Sequence, residues 1–204
     1  MTAITPADFN AMQFVCSAPT PRAFPAPSVA EVAFAGRSNA GKSSALNTIC
    51  SRTGLARTSK TPGRTQAINF FTSESLQFAD LPGYGFARVP PAVKAQWQAL
   101  IEGYLSSRET LAGVVLIMDA RRPLMDFDRQ LIDWGSQQGL AFHLVLTKAD
   151  KLSRNQQIKA LRAVEREMPE ATAQLFSALK RLGVDEARNA IAELANSLPT
   201  ESDL

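Results

Sequence analysis

The stretch Gly36-Arg37-Ser38-Asn39-Ala40-Gly41-Lys42-Ser43-Ser44 constrains this chain more than any other. It fits G-x-x-x-x-G-K-[ST], a phosphate-binding loop, and its surroundings suit one. The apolar run Val29 to Ala35 before it predicts a buried strand, and Ser44 to Ile49 after it is free of Pro and Gly and predicts a helix. Gly36 and Gly41 allow the backbone to wrap a polyphosphate without Cβ clashes. Successive N–H groups, from Arg37, Ser38 and Ala40 onward, and the helix N-terminus then face the anion. Lys42 is placed to reach β and γ phosphates, and the Ser43 hydroxyl to ligate magnesium.

The remaining chain supplies the frame such a loop needs. Strand-like and helix-like stretches alternate. A hairpin is predicted from Ala67–Thr72 and Ser75–Asp80, a helix from Pro90-Pro91 to about Ser107, and a strand from Leu111 to Met118. A helix over Asp126–Gln138, a strand over Ala141–Leu146 and a helix from Ser153 to about Met168 come next. A last strand, Thr172–Phe176, and a last helix, Val184–Ser197, complete the pattern. The alternation predicts an α/β fold of three layers: a mostly parallel sheet with one antiparallel strand, and helices on both faces. Residues 1–28 are expected to form an N-terminal extension, 29–198 the domain and 199–204 a tail. Four prolines, Pro19, Pro21, Pro25 and Pro27, favour extended chain in the lead-in. Phe9, Phe14 and Val15 could pin it to the core; a disordered tail is the alternative.

Ligands of such sheets bind beyond the carboxyl ends of the strands, where every special motif here falls. Asp80-Leu81-Pro82-Gly83 ends one predicted strand. Its carboxylate can hold magnesium, directly or through water, and the Gly83 N–H can meet a γ-phosphate. Thr147-Lys148-Ala149-Asp150 ends another and reads as a guanine-recognition motif. The Asp150 carboxylate can accept from guanine N1–H and its exocyclic amine, whereas adenine offers a lone pair at that edge. The Lys148 stem can lie along the base plane. Phe176-Ser177-Ala178 ends the final strand, and backbone N–H of Ser177 and Ala178 could reach guanine O6. Thr61 and Thr65 are both candidates to close on magnesium and γ-phosphate, and Thr65 is preferred because Pro62-Gly63 turns the chain just before it.

A net charge of +3 and a pI near 9.1 permit an anionic partner without demanding one. The excess is local: from Val32 to Ser73 the chain carries Arg37, Lys42, Arg52, Arg57, Lys60 and Arg64 and no acid. That segment is either a solvated positive surface or one that neutralises nucleotide or RNA phosphates. Cys16 and Cys50 lack metal-ligand spacing, which suits a reducing compartment. Without a basic-then-apolar leader or a long apolar run, a soluble cytoplasmic protein is expected. His143, between Phe142 and Leu144, is expected to be structural, as are Trp97 and Trp134.

Taken together these residues resemble the translation-factor-like P-loop GTPases, and more closely the bacterial EngB family. The resemblance rests on the phosphate loop with Ala45-Leu46-Asn47, on Thr61-Pro62-Gly63-Arg64-Thr65-Gln66, on Asp80-Leu81-Pro82-Gly83-Tyr84-Gly85, on Asp119-Ala120-Arg121-Arg122 and on Thr147-Lys148-Ala149-Asp150. It covers roughly residues 9 to 197. It implies a Ras-like domain with six strands, binding of GTP and GDP, and slow hydrolysis of GTP. It also implies magnesium on Ser43, Thr65 and Asp80, with Gly63, Arg64, Gln66 and Ala67 beside the nucleotide. Lys42, Thr65, Gly83 and Asn39 are the residues expected to act in hydrolysis. The biology implied is assembly of the large ribosomal subunit, as a monomer without DNA or membrane partners, and a link to cell division and septation. The alternative is a nucleotide-gated module for a division-site protein, with hydrolysis incidental; Arg121-Arg122 and the basic segment favour RNA. Tyr84 stands where Ras-type enzymes carry the water-orienting glutamine. Asn39 stands where related glutamine-lacking GTPases hold potassium; it either does so here or only orders the loop backbone.

Overall fold

The computed structural model describes residues 4–56, 67–84 and 91–198, with side chains throughout except at 91–98. Seven strands form one sheet: β1 (Gln13–Ala18), β2 (Ala30–Gly36), β3 (Ile68–Thr72), β4 (Leu76–Asp80), β5 (Leu111–Asp119), β6 (Phe142–Thr147) and β7 (Thr172–Leu175). Their order is β1-β3-β4-β2-β5-β6-β7. Among the described residues only β3 runs against the other strands, pairing antiparallel with β1 and β4. The predicted single reversed strand is present, but the described residues form seven strands rather than six.

The seventh comes from the lead-in. A short helix α1 (Pro6–Ala11) buries Phe9, and Met12 follows it inward before β1 pairs with β3 through a bulge between Phe14 and Cys16. Phe9 is thus one of the expected pins; Phe14, though 55% exposed, sets its ring edge-on against the buried Phe71 at 5.8 Å, while Val15 is exposed at 43%. β1 is an edge strand, so its residues show little of the alternation that makes a half-buried strand legible.

Alternation along the central strands sorts the side chains onto two faces. On one, Ala33, Ala35, Val114, Leu116 and Met118 meet α3 (Pro91–Ser107), α4 (Asp126–Gln137) and α5 (Arg154–Glu167) through Leu100, Tyr104, Ile132 and Val164. On the other, Val32, Phe34, Val115 and Ile117 meet α1, α2 (Lys42–Ile49) and α6 (Val184–Asn196) through Phe9, Leu46, Ala187 and Ile191. Strands β2 and β6 are buried along their whole length, as parallel strands covered on both sides must be.

At the amino ends of the strands, away from the motifs, lies a buried polar knot. The fully buried Glu31 carboxylate accepts from Arg108 Nε and Nη2, both at 3.0 Å, and also from the Tyr104 hydroxyl and the Gln77 amide. Arg108 also donates to the Pro25 carbonyl at 2.8 Å and lies over the Phe70 ring. This one side chain ties the lead-in, β2 and the end of α3 together.

Candidate functional site

Parallel strands put their carboxyl ends on one edge, and β2, β4, β5, β6 and β7 deliver their motifs there. The phosphate loop leaves β2 at Gly36, where a Cβ would stand 2.5 Å from the Ile117 carbonyl oxygen, so only glycine fits against β5. Gly41 enters α2 as its N-cap with φ of 101°, a left-handed conformation that side chains resist. α2 then begins at Lys42, two residues ahead of the expected Ser44. Lys42 Nζ and the Asp80 carboxylate are ion-paired, with their side chains only 11% and 9% exposed. The lysine of the phosphate loop and the acid 38 residues later are therefore neighbours.

The segment after Asp80 is stitched beneath the loop. Leu81 N–H donates to the Phe34 carbonyl at 2.9 Å, and Ser38 N–H to the Tyr84 carbonyl at 2.8 Å. Gly83 lies against Ser38: a Cβ added at Gly83 would approach the Ser38 hydroxyl to 3.1 Å. Tyr84 is buried, its ring 4.8 Å from that of Phe127 and its hydroxyl donating to Asp128 at 2.6 Å. Burial, followed by the Asp128 charge, pushes the phenol well above its ordinary range, so it stays protonated. Burial likewise raises the Asp128 carboxyl, against the hydrogen bond from Tyr84. Tyr84 is a fastener between this segment and α4, which the sequence could not reveal because Asp128 lies 44 residues away.

The base-recognition motif is tied to the same loop. Thr147 Oγ1 donates to the carbonyl of Ala40 and lies 2.9 Å from that of Met118. Lys148 takes a left-handed backbone (φ 58°) and sends its ammonium to the Asn39 carbonyl at 2.5 Å and to Asp119 at 3.0 Å. Asp119 also accepts a fork from Arg121, Nε at 2.9 Å and Nη2 at 2.6 Å. Burial works to raise this carboxyl, but the bonds from Arg121 and Lys148 override it and hold it well below the usual carboxylate range. Asp119 orients Lys148, a part for which only the recurring Asp119-Ala120-Arg121-Arg122 string gave a signal. A cleft of about 490 Å³ opens here, lined by Arg37, Ser38, Asn39, Asp119 and Lys148 among others.

Asp150 is set by the last strand. Ser177 Oγ donates to its Oδ1 at 2.5 Å, and Lys151 lies 3.5 Å from Oδ2. The Ser177 bond, then the lysine charge, lower the carboxyl below its ordinary pKa, so it is an acceptor at neutral pH. The Phe176 carbonyl accepts from Ala149 N–H at 3.1 Å, which locks the two loops together. Ser177 N–H, expected together with that of Ala178 to be open to the base, donates to the Leu182 carbonyl at 3.1 Å. Thr61, Gly63, Arg64, Thr65 and Gln66 lie outside the described residues, and Ala67 sits at the entry to β3. His143 is buried on β6 between Thr172 and Gln174, remote from this edge, and is structural as expected.

The comparisons agree with this geometry. A family model described as "50S ribosome-binding GTPase" matches residues 31–148. The probable GTP-binding protein EngB of Dechloromonas aromatica is 52% identical over 191 residues, spanning 90% of this chain and 87% of that one. The chain belongs to the EngB family of GTP-binding proteins. A second EngB, from Thiobacillus denitrificans, is 55% identical over 165 residues, covering 79% of this chain and 80% of its own. A solved structure of a probable GTP-binding protein engB superposes with a TM-score of 0.68 at 21% identity, over 82% of this chain and 99% of that one, and so shares the fold. This EngB-family chain is a GTPase with a switch-type G domain. Among the described residues no helix is long and apolar enough to cross a membrane.

Proposed function

We propose that this chain is a magnesium-dependent GTPase switch that joins and leaves large ribosomal subunit precursors, and that cell division and septation depend on it through ribosome supply. The observation that carries the reading is the juxtaposition at one sheet edge of Lys42, Asp80 and a fixed Asp150, in a chain matching a ribosome-binding GTPase model over residues 31–148.

Asp150 accepts from the guanine edge, and Lys148 and Ala178 hold the base from below and behind. Lys42 meets the β and γ phosphates by exchanging its Asp80 partner for them. The hydroxyl of Ser43 and the carboxylate of Asp80 are hard oxygens of the kind magnesium takes, so this donor set fits the ion, with Thr65 completing it. Bound there, magnesium neutralises charge on the phosphate oxygens. Gly83 N–H meets the γ-phosphate and reports its presence to α4 through Tyr84. Because the Tyr84 phenol is held by Asp128, no side chain at that position orients the attacking water, and turnover is slow. Potassium near Asn39 would offset part of that loss by stabilising developing charge.

The switch is tested by sedimentation of purified protein with large-subunit particles. Binding should be stronger with a non-hydrolysable GTP analogue than with GDP, and weaker as salt rises. Equal binding in both nucleotide states would overturn the switch reading.

A further inference from the structure

The proposed function leaves unused a predominantly basic face of α5. α5 packs its Val164 side on the sheet core, and Met168 just beyond the helix is buried beside it. On the opposite side Arg154, Ile158, Arg162 and Arg166 follow one another at four-residue spacing, with Lys159 alongside, all exposed. The row spans about 18 Å at 1.5 Å per residue. Asn155, Ile158, Lys159, Arg162 and Arg166 line a groove of about 460 Å³. Among the described residues none of these four cations is in an ion pair; Glu167 is turned aside to Arg129 at 2.6 Å, and the exposed Glu165, three residues from Arg162, is the one acid among the cations. Ile158, 41% exposed, is the one large apolar side chain in the row.

We propose that this face of α5 is a docking surface for an RNA phosphate backbone. The inference rests on the ribosomal reading above and adds the place of contact. Charge complementarity chooses the occupant: three of the four cations are arginines, whose planar forks match phosphate oxygens. A membrane surface would demand a broad apolar stripe beside the cations, and a single isoleucine does not provide one. Because α5 follows the base-recognition motif and not the γ-phosphate segment, contact here adds affinity in both nucleotide states alike. The switch then decides only the remainder.

The test compares wild-type full-length protein with Arg162→Gln/Arg166→Gln, both substitutions being exposed and helix-compatible. The probes are purified large-subunit particles, the RNA extracted from them, and vesicles containing anionic lipid, each with a GTP analogue and with GDP. Two phosphate contacts at about 0.7–0.9 salt-slope units each correspond to about 25- to 60-fold weaker binding at 0.1 M salt. That loss is expected on particles and extracted RNA, by the same factor in both nucleotide states, with Arg162→Lys/Arg166→Lys restoring most of it. Wild-type binding that the Gln variant matches would overturn the α5 surface and leave the ribosomal reading intact. Loss on particles with extracted RNA unaffected would assign the face to a ribosomal protein, and loss on vesicles alone to a membrane; either overturns RNA as the occupant. A wild type that binds neither particles nor RNA would overturn the ribosomal reading and this inference together.

Discussion

Guanine choice should rest on Asp150, and the structure says how strongly. Its carboxylate offers about four acceptor positions, of which Ser177 takes one at 2.5 Å. The others suffice for guanine N1–H and the exocyclic amine. Asp150→Asn keeps an oxygen for Ser177, so the loop holds, but places an amide N–H against those donors. Two charge-assisted hydrogen bonds at about 1.5–3 kcal/mol each give a loss of about 3–6 kcal/mol. That is a weakening of GDP and GTP by about two to four decades. Xanthine carries an oxygen in place of the amine, which the new amide can meet, so xanthosine diphosphate should gain as guanosine diphosphate loses. The assay is competition against a fluorescent guanine nucleotide, with circular dichroism as the check on folding. A folded variant whose preference among the two nucleotides is unchanged would refute the assignment of Asp150.

Three further outcomes are expected. Arg108→Met strands the buried Glu31 charge and should cost about 3–5 kcal/mol in chemical denaturation, with Glu31→Gln in the same background recovering part of it; simple additivity would contradict the account. Potassium should accelerate hydrolysis over sodium at equal ionic strength. Asn39→Gly is the decisive variant, because Asn39 is left-handed (φ 63°) and glycine keeps that backbone while removing the side-chain oxygen; a surviving potassium effect would reduce Asn39 to a loop former. His143, whose pKa burial lowers below 6.5, stays neutral when folded, while the unfolded chain takes up a proton. Stability should therefore fall as pH drops below about 6.5, down to the lowered folded pKa, in urea titrations at stepped pH. His143→Gln should flatten that part of the profile, and an unchanged slope would point to other groups.

What the sequence by itself determined was whatever a short string demands of its own backbone and periodicity. The phosphate loop needs glycine at 36 and 41, the helices announce their starts at Ser153 and their stops near Gly139, and buried parallel strands read as unbroken apolar runs. These demands are local, so the order of elements, the sheet's main architecture and the edge carrying the motifs were legible. Tertiary structure decided what depends on residues meeting across the chain. β1 joined the sheet although its exposed edge residues carry no clear alternation, because β3 offered an unpaired backbone. Asp119 became the support of Lys148, and Tyr84 a fastener on Asp128, through contacts 29 and 44 residues distant that no local pattern encodes. Ser177 lost its N–H to Leu182 and gained a different part through its hydroxyl on Asp150, for the same reason. A side chain's partner is a property of the fold, since distance in space and distance along the chain are set by different forces: burial of apolar surface chooses the packing, and polar groups then take whichever neighbours that packing leaves within reach.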